Sequence, residues 1–144
     1  DGKKIDGWEL TMPSSRMMVR DSDNPVNFVA QEFRGTQFDF TKPRLIGSTT
    51  FSDRLWLFKA GERTMARLLN PEAGFGIDLW LGRGYEYMLL YTPSSPECYN
   101  RRGLSIEPMC AVPDAFNNRI GLTTLMPGES FKAVYSIRPS HVKL

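Results

Sequence analysis

In "FGIDLWL", residues 75–81, Phe75, Ile77, Leu79 and Leu81 share one side of the chain while Gly76, Asp78 and Trp80 share the other, the period of two of a half-buried strand. "GRG" at 82–84 and "YEYMLLY" at 85–91 follow, with Tyr85, Tyr87, Leu89 and Tyr91 alternating. The three pieces together predict a β-hairpin whose turn is freed by glycine. Near the end, "LMPGESFKAVYSI" predicts a turn at Pro127 and Gly128, then a last strand in which Phe131, Ala133, Tyr135 and Ile137 alternate. Shorter strands are expected at 27–33, 56–58 and 104–106. Only "GERTMARLLNPEAG" has helical spacing, at Met65, Leu68 and Leu69, and it is too short for that spacing to decide. With 12 Gly and 10 Pro punctuating these runs, the pattern predicts one all-β domain, an antiparallel β-sandwich of short strands without internal repeat, low-complexity tract or linker.

A chain of 144 residues is the size of one ordinary domain and can bury roughly 70% of the surface its unfolded chain exposes. Its 18 basic and 16 acidic residues leave a net charge of +2 without a stripe, which argues against a nucleic-acid partner. The pairs Lys3/Lys4 and Arg101/Arg102 are accordingly read as solvated charge. No apolar run is long enough for a membrane helix and no leader stands at the start, so a soluble chain with no membrane partner is expected. It opens at Asp1 rather than Met, the mark of a piece of something longer. Cys98 and Cys110 allow one pairing, yet two thiols do not make a disulfide scaffold; free thiols are the commoner case and point to a reducing, cytoplasmic setting.

Several chemistries lack their residues. The single histidine, His141, lies in the tail "RPSHVKL", where it is expected exposed and idle, so a histidine-based metal site or a triad is not expected within the chain. No "GxGxxG", "GxxxxGK" or paired "CxxC" occurs. One carboxylate invites a question. In "GLSIEPMCAVPDAFN", residues 103–117, a strand at "LSIE" turns Leu104 and Ile106 to an apolar face and Ser105 and Glu107 away from it, and Pro108 is expected to end the ladder. Glu107 is then a solvated strand end, as most carboxylates are, or a general base held by a rigid strand.

That stretch, followed by "LTTLMPGESFKAVYSI", resembles the closing section of the aldose 1-epimerase (mutarotase) family: a strand ending in glutamate, a "PDA" loop, and a "PGE" turn opening the last strand. "FRGTQFDFTKPRLIG", residues 33–47, and "YTPSS", residues 91–95, resemble two further blocks of that family in the same order. The resemblance implies part of a galactose mutarotase-like supersandwich that interchanges the α and β anomers of an aldose such as galactose or glucose, with no cofactor and no metal. It makes Glu107 the base that takes the proton of the anomeric hydroxyl. The acid, a histidine, belongs to an N-terminal half that this chain does not contain, so residues 1–144 correspond to the C-terminal part. The implied partners are that half of the same protein or a homo-oligomer.

The resemblance also places Ser48 of "GSTTFSD" where the family carries a sugar-gripping aspartate, with Asp53 close by as its substitute. Asp39 is read as shaping a turn. Trp56, Trp80, Tyr85 and Tyr99 are conceivable sugar contacts, although large aromatics chiefly pack. Thr64 to Leu69 becomes a strand despite its helical spacing, with a turn at "NPEAG". A non-catalytic sugar-binding module of the same fold is the alternative. A ligand-free interaction domain would leave the order of the matching blocks unexplained.

Overall fold

The computed structural model describes residues 4–58, 64–93 and 100–141. After a 3₁₀ turn at Ile5–Gly7 come β1 (Glu9–Thr11), β2 (Arg16–Arg20), β3 (Phe28–Glu32), β4 (Arg44–Leu45), β5 (Leu55–Leu57), β6 (Thr64–Asn70), β7 (Phe75–Leu81), β8 (Tyr87–Tyr91), β9 (Ser105–Met109), a short helix α1 (Ala115–Asn118) and β10 (Tyr135–His141). They form two antiparallel five-stranded sheets, β10-β7-β6-β1-β4 and β3-β2-β5-β8-β9. The core between them takes Leu10, Ala66, Leu68, Leu79 and Leu81 from the first sheet and Met17, Trp56, Met88 and Leu90 from the second. The expected all-β sandwich is the observed one.

The hairpin at 75–91 is not. β7 pairs with β6 and β10 in the first sheet, whereas β8 pairs with β5 and β9 in the second. Stacked sheets lie ~10 Å apart, a gap the five residues Gly82–Glu86 bridge easily at up to ~3.5 Å each. The "GRG" stretch is pinned instead by Val134, whose carbonyl accepts the Gly82 N–H at 2.9 Å and whose N–H donates to Arg83 O at 3.0 Å. Alternation fixes a strand's faces and leaves its partners open, and here each of the two strands lies between two others of its own sheet.

Other local expectations hold or shift by a few residues. Residues 64–70 are a strand, closed by a turn in which the Gly74 N–H donates to Asn70 O at 3.0 Å. The Pro127–Gly128 turn is present, with the Glu129 N–H donating to Met126 O and Gly128 at φ 88°. The last strand begins at Tyr135, leaving Phe131 and Ala133 outside it, and it runs on through Pro139 to His141, which pairs with Phe75 rather than trailing as a tail. β9 likewise continues through Pro108 to Met109. β9 and β10 are the outermost strands of their sheets, where a proline's missing N–H costs no ladder bond.

Candidate functional site

Glu107 lies on the outer face of the second sheet. Ala30, Met18, Leu55, Leu89 and Glu107 are successive cross-strand partners, one row crossing all five strands and ending in the carboxylate. Its chain neighbour Ile106 faces the opposite way, into the intersheet core. The middle of this face is covered: Met18 and Leu55 of the row, with Tyr87 from the neighbouring row, are buried with Val112 and packed by Ile120, from the segment that follows β9. Asn118 anchors this lobe, donating to Val26 O at 2.9 Å and Pro113 O at 2.8 Å. One corner stays open, where Glu107, Ser105 and Tyr91 are all exposed.

The loops at that end of the sheet carry the other sequence candidates. Asp53 is exposed in the bend before β5, its carboxylate accepting from Ser52 Oγ at 3.0 Å and Arg54 Nη1 at 3.1 Å. That bend is tied to the end of β8, since the Phe51 N–H donates to Thr92 Oγ1 at 2.8 Å and the Thr92 N–H to Phe51 O at 3.0 Å. Ser48 is exposed in a turn closed by the Thr49 N–H on Ile46 O. Arg101 clasps the carbonyls on either side of Ser48, Gly47 O at 2.6 Å and Thr49 O at 3.1 Å, and bonds Thr50 Oγ1 at 3.2 Å. The backbone N–H of Arg101 donates to Pro93 O, just beyond β8.

Reading Arg101 as solvated charge was therefore wrong: its side chain is only 12% exposed and ion-paired with Asp6. No local signal marks it, because its partners lie 51 to 95 residues away. Asp39 is structural, as expected. It accepts from the Gly35 N–H at 2.8 Å, the Thr41 N–H at 3.0 Å and Thr41 Oγ1 at 2.6 Å, and these bonds, led by the hydroxyl's, hold its carboxyl down to about 2.

Among the aromatic candidates, Trp56 is fully buried between the sheets and cannot meet a sugar. Trp80 sits in the first sheet, away from Glu107, and Tyr85 packs edge-on against Tyr135 with ring centroids 5.7 Å apart. Tyr99 and Cys98 lie outside the described residues. Cys110 is a free thiol, its pKa pushed up by burial. A cavity of about 520 Å³ opens between β7, β9 and β10, lined by Leu68, Ile77, Leu79, Leu104, Ile106 and Tyr135 among others. It lies on the inner side of β9, away from Glu107, and its apolar walls suit side chains better than sugar hydroxyls. Among the described residues no three His, Cys, Asp or Glu gather as metal ligands, and no helix is long and apolar enough to cross a membrane.

The model of the aldose 1-epimerase family matches residues 1–138. A solved structure of a GalM/aldose epimerase homologue from C. elegans superposes with a TM-score of 0.79 at 18% identity, covering 99% of this chain and 49% of that one. The chain thus spans about half the length of that structure, and the likeness extends to the sandwich. No curated protein matches the chain.

Proposed function

The chain belongs to the aldose 1-epimerase family, and from that premise we propose that it supplies the base-bearing part of a hexose mutarotase. Glu107 takes the proton from the anomeric hydroxyl of an aldose such as galactose or glucose as the ring C–O bond opens, and returns one when the ring closes on its other face. The observation that carries this reading is an exposed carboxylate on a hydrogen-bonded strand, at the uncovered corner of the second sheet, and the resemblance of the surrounding sequence to the family's closing section supports giving it the base's role. A positioned base or acid contributes something like 10²- to 10⁴-fold. Asp53 and Ser48, in loops fastened at the same end of the sheet, grip the sugar's other hydroxyls.

Ring opening also needs a proton delivered to the ring oxygen. The sequence's one histidine, His141, ends β10 in the other sheet, so the acid comes from an N-terminal half corresponding to the rest of the longer relative. That half also covers the apolar cavity between β7, β9 and β10, beside which Tyr135 and Ile137 are 51% and 58% exposed. The lack of a histidine near Glu107 favours one second reading, a sugar-binding module without turnover.

Polarimetry of α-glucose and α-galactose on the protein assembled with its N-terminal half decides between them. Glu107→Gln is expected to slow anomer interconversion about 100-fold or more while sugar affinity stays close to wild type. A rate that survives this change removes Glu107 as base. A wild-type rate equal to buffer, with sugar still bound, establishes the binding module.

A further inference from the structure

We propose that Tyr91 is the platform on which the sugar ring lies while Glu107 reaches its anomeric hydroxyl. The inference takes its ligand class from the epimerase reading but stands on separate geometry. Leu89 is directly opposite Glu107, and the residues two positions to either side of it on β8, Tyr87 and Tyr91, point from the same face as the carboxylate. The two tyrosines have different surroundings. Tyr87 is 5% exposed beneath the lobe after β9, where burial pushes its pKa up. Tyr91 is 46% exposed although β8 is an inner strand, flanked by β5 and β9.

Tyr91 pairs with Ser105, which places it diagonally from Glu107. Diagonal cross-strand neighbours are ~7–8 Å apart, so a pyranose ring lying on one meets the other with its edge. Between them Leu89 offers a half-buried apolar floor and Ser105 an exposed neighbour with a hydroxyl. An aromatic face suits the C–H side of a sugar, and the phenol edge leaves a polar tip in water. Stacking there would orient the ring so that one of its hydroxyls faces the carboxylate, which makes Tyr91 a specificity-determining contact.

The test compares Tyr91→Ala and Tyr91→Phe with wild type in the assembled protein, using calorimetric titration with galactose and glucose together with polarimetric mutarotation. If the ring is the platform, Tyr91→Ala raises Kd and KM about tenfold while Tyr91→Phe stays within about twofold of wild type. In the same series kcat falls by less than about threefold, because proton transfer remains with Glu107. Unchanged Kd in Tyr91→Ala overturns the proposal, as does a Tyr91→Phe defect equal to that of alanine, which would assign the effect to the hydroxyl. A wild-type protein that binds sugar without turning it over removes the epimerase reading, and the Kd ratio still decides the role of Tyr91. A wild-type protein that binds neither sugar overturns both.

Discussion

Arg101 Nε donates to Asp6 Oδ1 at 2.7 Å across 95 residues of sequence, while the Arg101 carbonyl accepts the Ile5 N–H at 2.8 Å. The connection from β8 to β9 is thereby fastened to the first turn of the chain, and the same guanidinium fixes the turn that carries Ser48. Removing it leaves the Gly47 and Thr49 carbonyls and the Asp6 carboxylate without their shared donor. Arg101→Ala is expected to cost about 2–3 kcal/mol, seen as a lower urea midpoint at unchanged slope. Arg101→Lys should recover only part, since one ammonium cannot reproduce the planar fork.

Acid should weaken the fold in a particular window. Hydrogen bonds from Arg67 lower the Asp78 carboxyl, through Nε to Oδ1 at 2.6 Å and Nη2 to Oδ2 at 2.8 Å, and bonds from Thr41 and Gly35 hold Asp39 near 2. Both carboxyls are depressed below the unfolded value of about 3.9. Their contribution is therefore complete above about pH 4 and is lost as pH falls from there through the folded values. Urea midpoints measured from pH 6 to pH 2.5 should drop, and the Asp39→Asn/Asp78→Asn double variant should show a shallower drop. An equal drop in both proteins would remove these two groups as the cause.

Gly76 leaves no room for a side chain. A Cβ there would press on the Leu68 carbonyl oxygen and lie 2.8 Å from Leu69 Cα, both backbone atoms of β6. Gly76→Ala is expected to destabilise by about 2–3 kcal/mol through a forced shift in the β6–β7 ladder. Thermal melting against wild type checks this.

Asp53 and Ser48 should separate by affinity under the proposed function. Charge-assisted hydrogen bonds are roughly twice as strong as neutral ones, so Asp53→Asn should raise KM for the hexose by about five- to tenfold and Ser48→Ala by about twofold. The reverse order would make Ser48 the main grip.

The sequence by itself determined the all-β class and the longer alternating strands, whereas β1 and β4 are too short, and β2 too uniform, to show a period. Alternation in "FGIDLWL" and "LSIE" is a local consequence of backbone geometry, and it placed Leu79 and Ile106 inward and Glu107 outward correctly. Family resemblance adds that Thr64 to Leu69 is a strand, against its helical spacing, and the observed strand runs to Asn70. What alternation does not contain is the identity of the partner strand. The 75–91 pair resembles a hairpin in sequence because two adjacent alternating segments look alike whether they pair with each other or with strands elsewhere. Only the tertiary structure decided that β7 and β8 lie in different sheets, that Arg101 is buried among distant acceptors, and that Glu107 and Tyr91 share the corner left open by the lobe after β9. Each depends on contacts between residues far apart in sequence, whose loop-closure cost is set against burial across the whole fold.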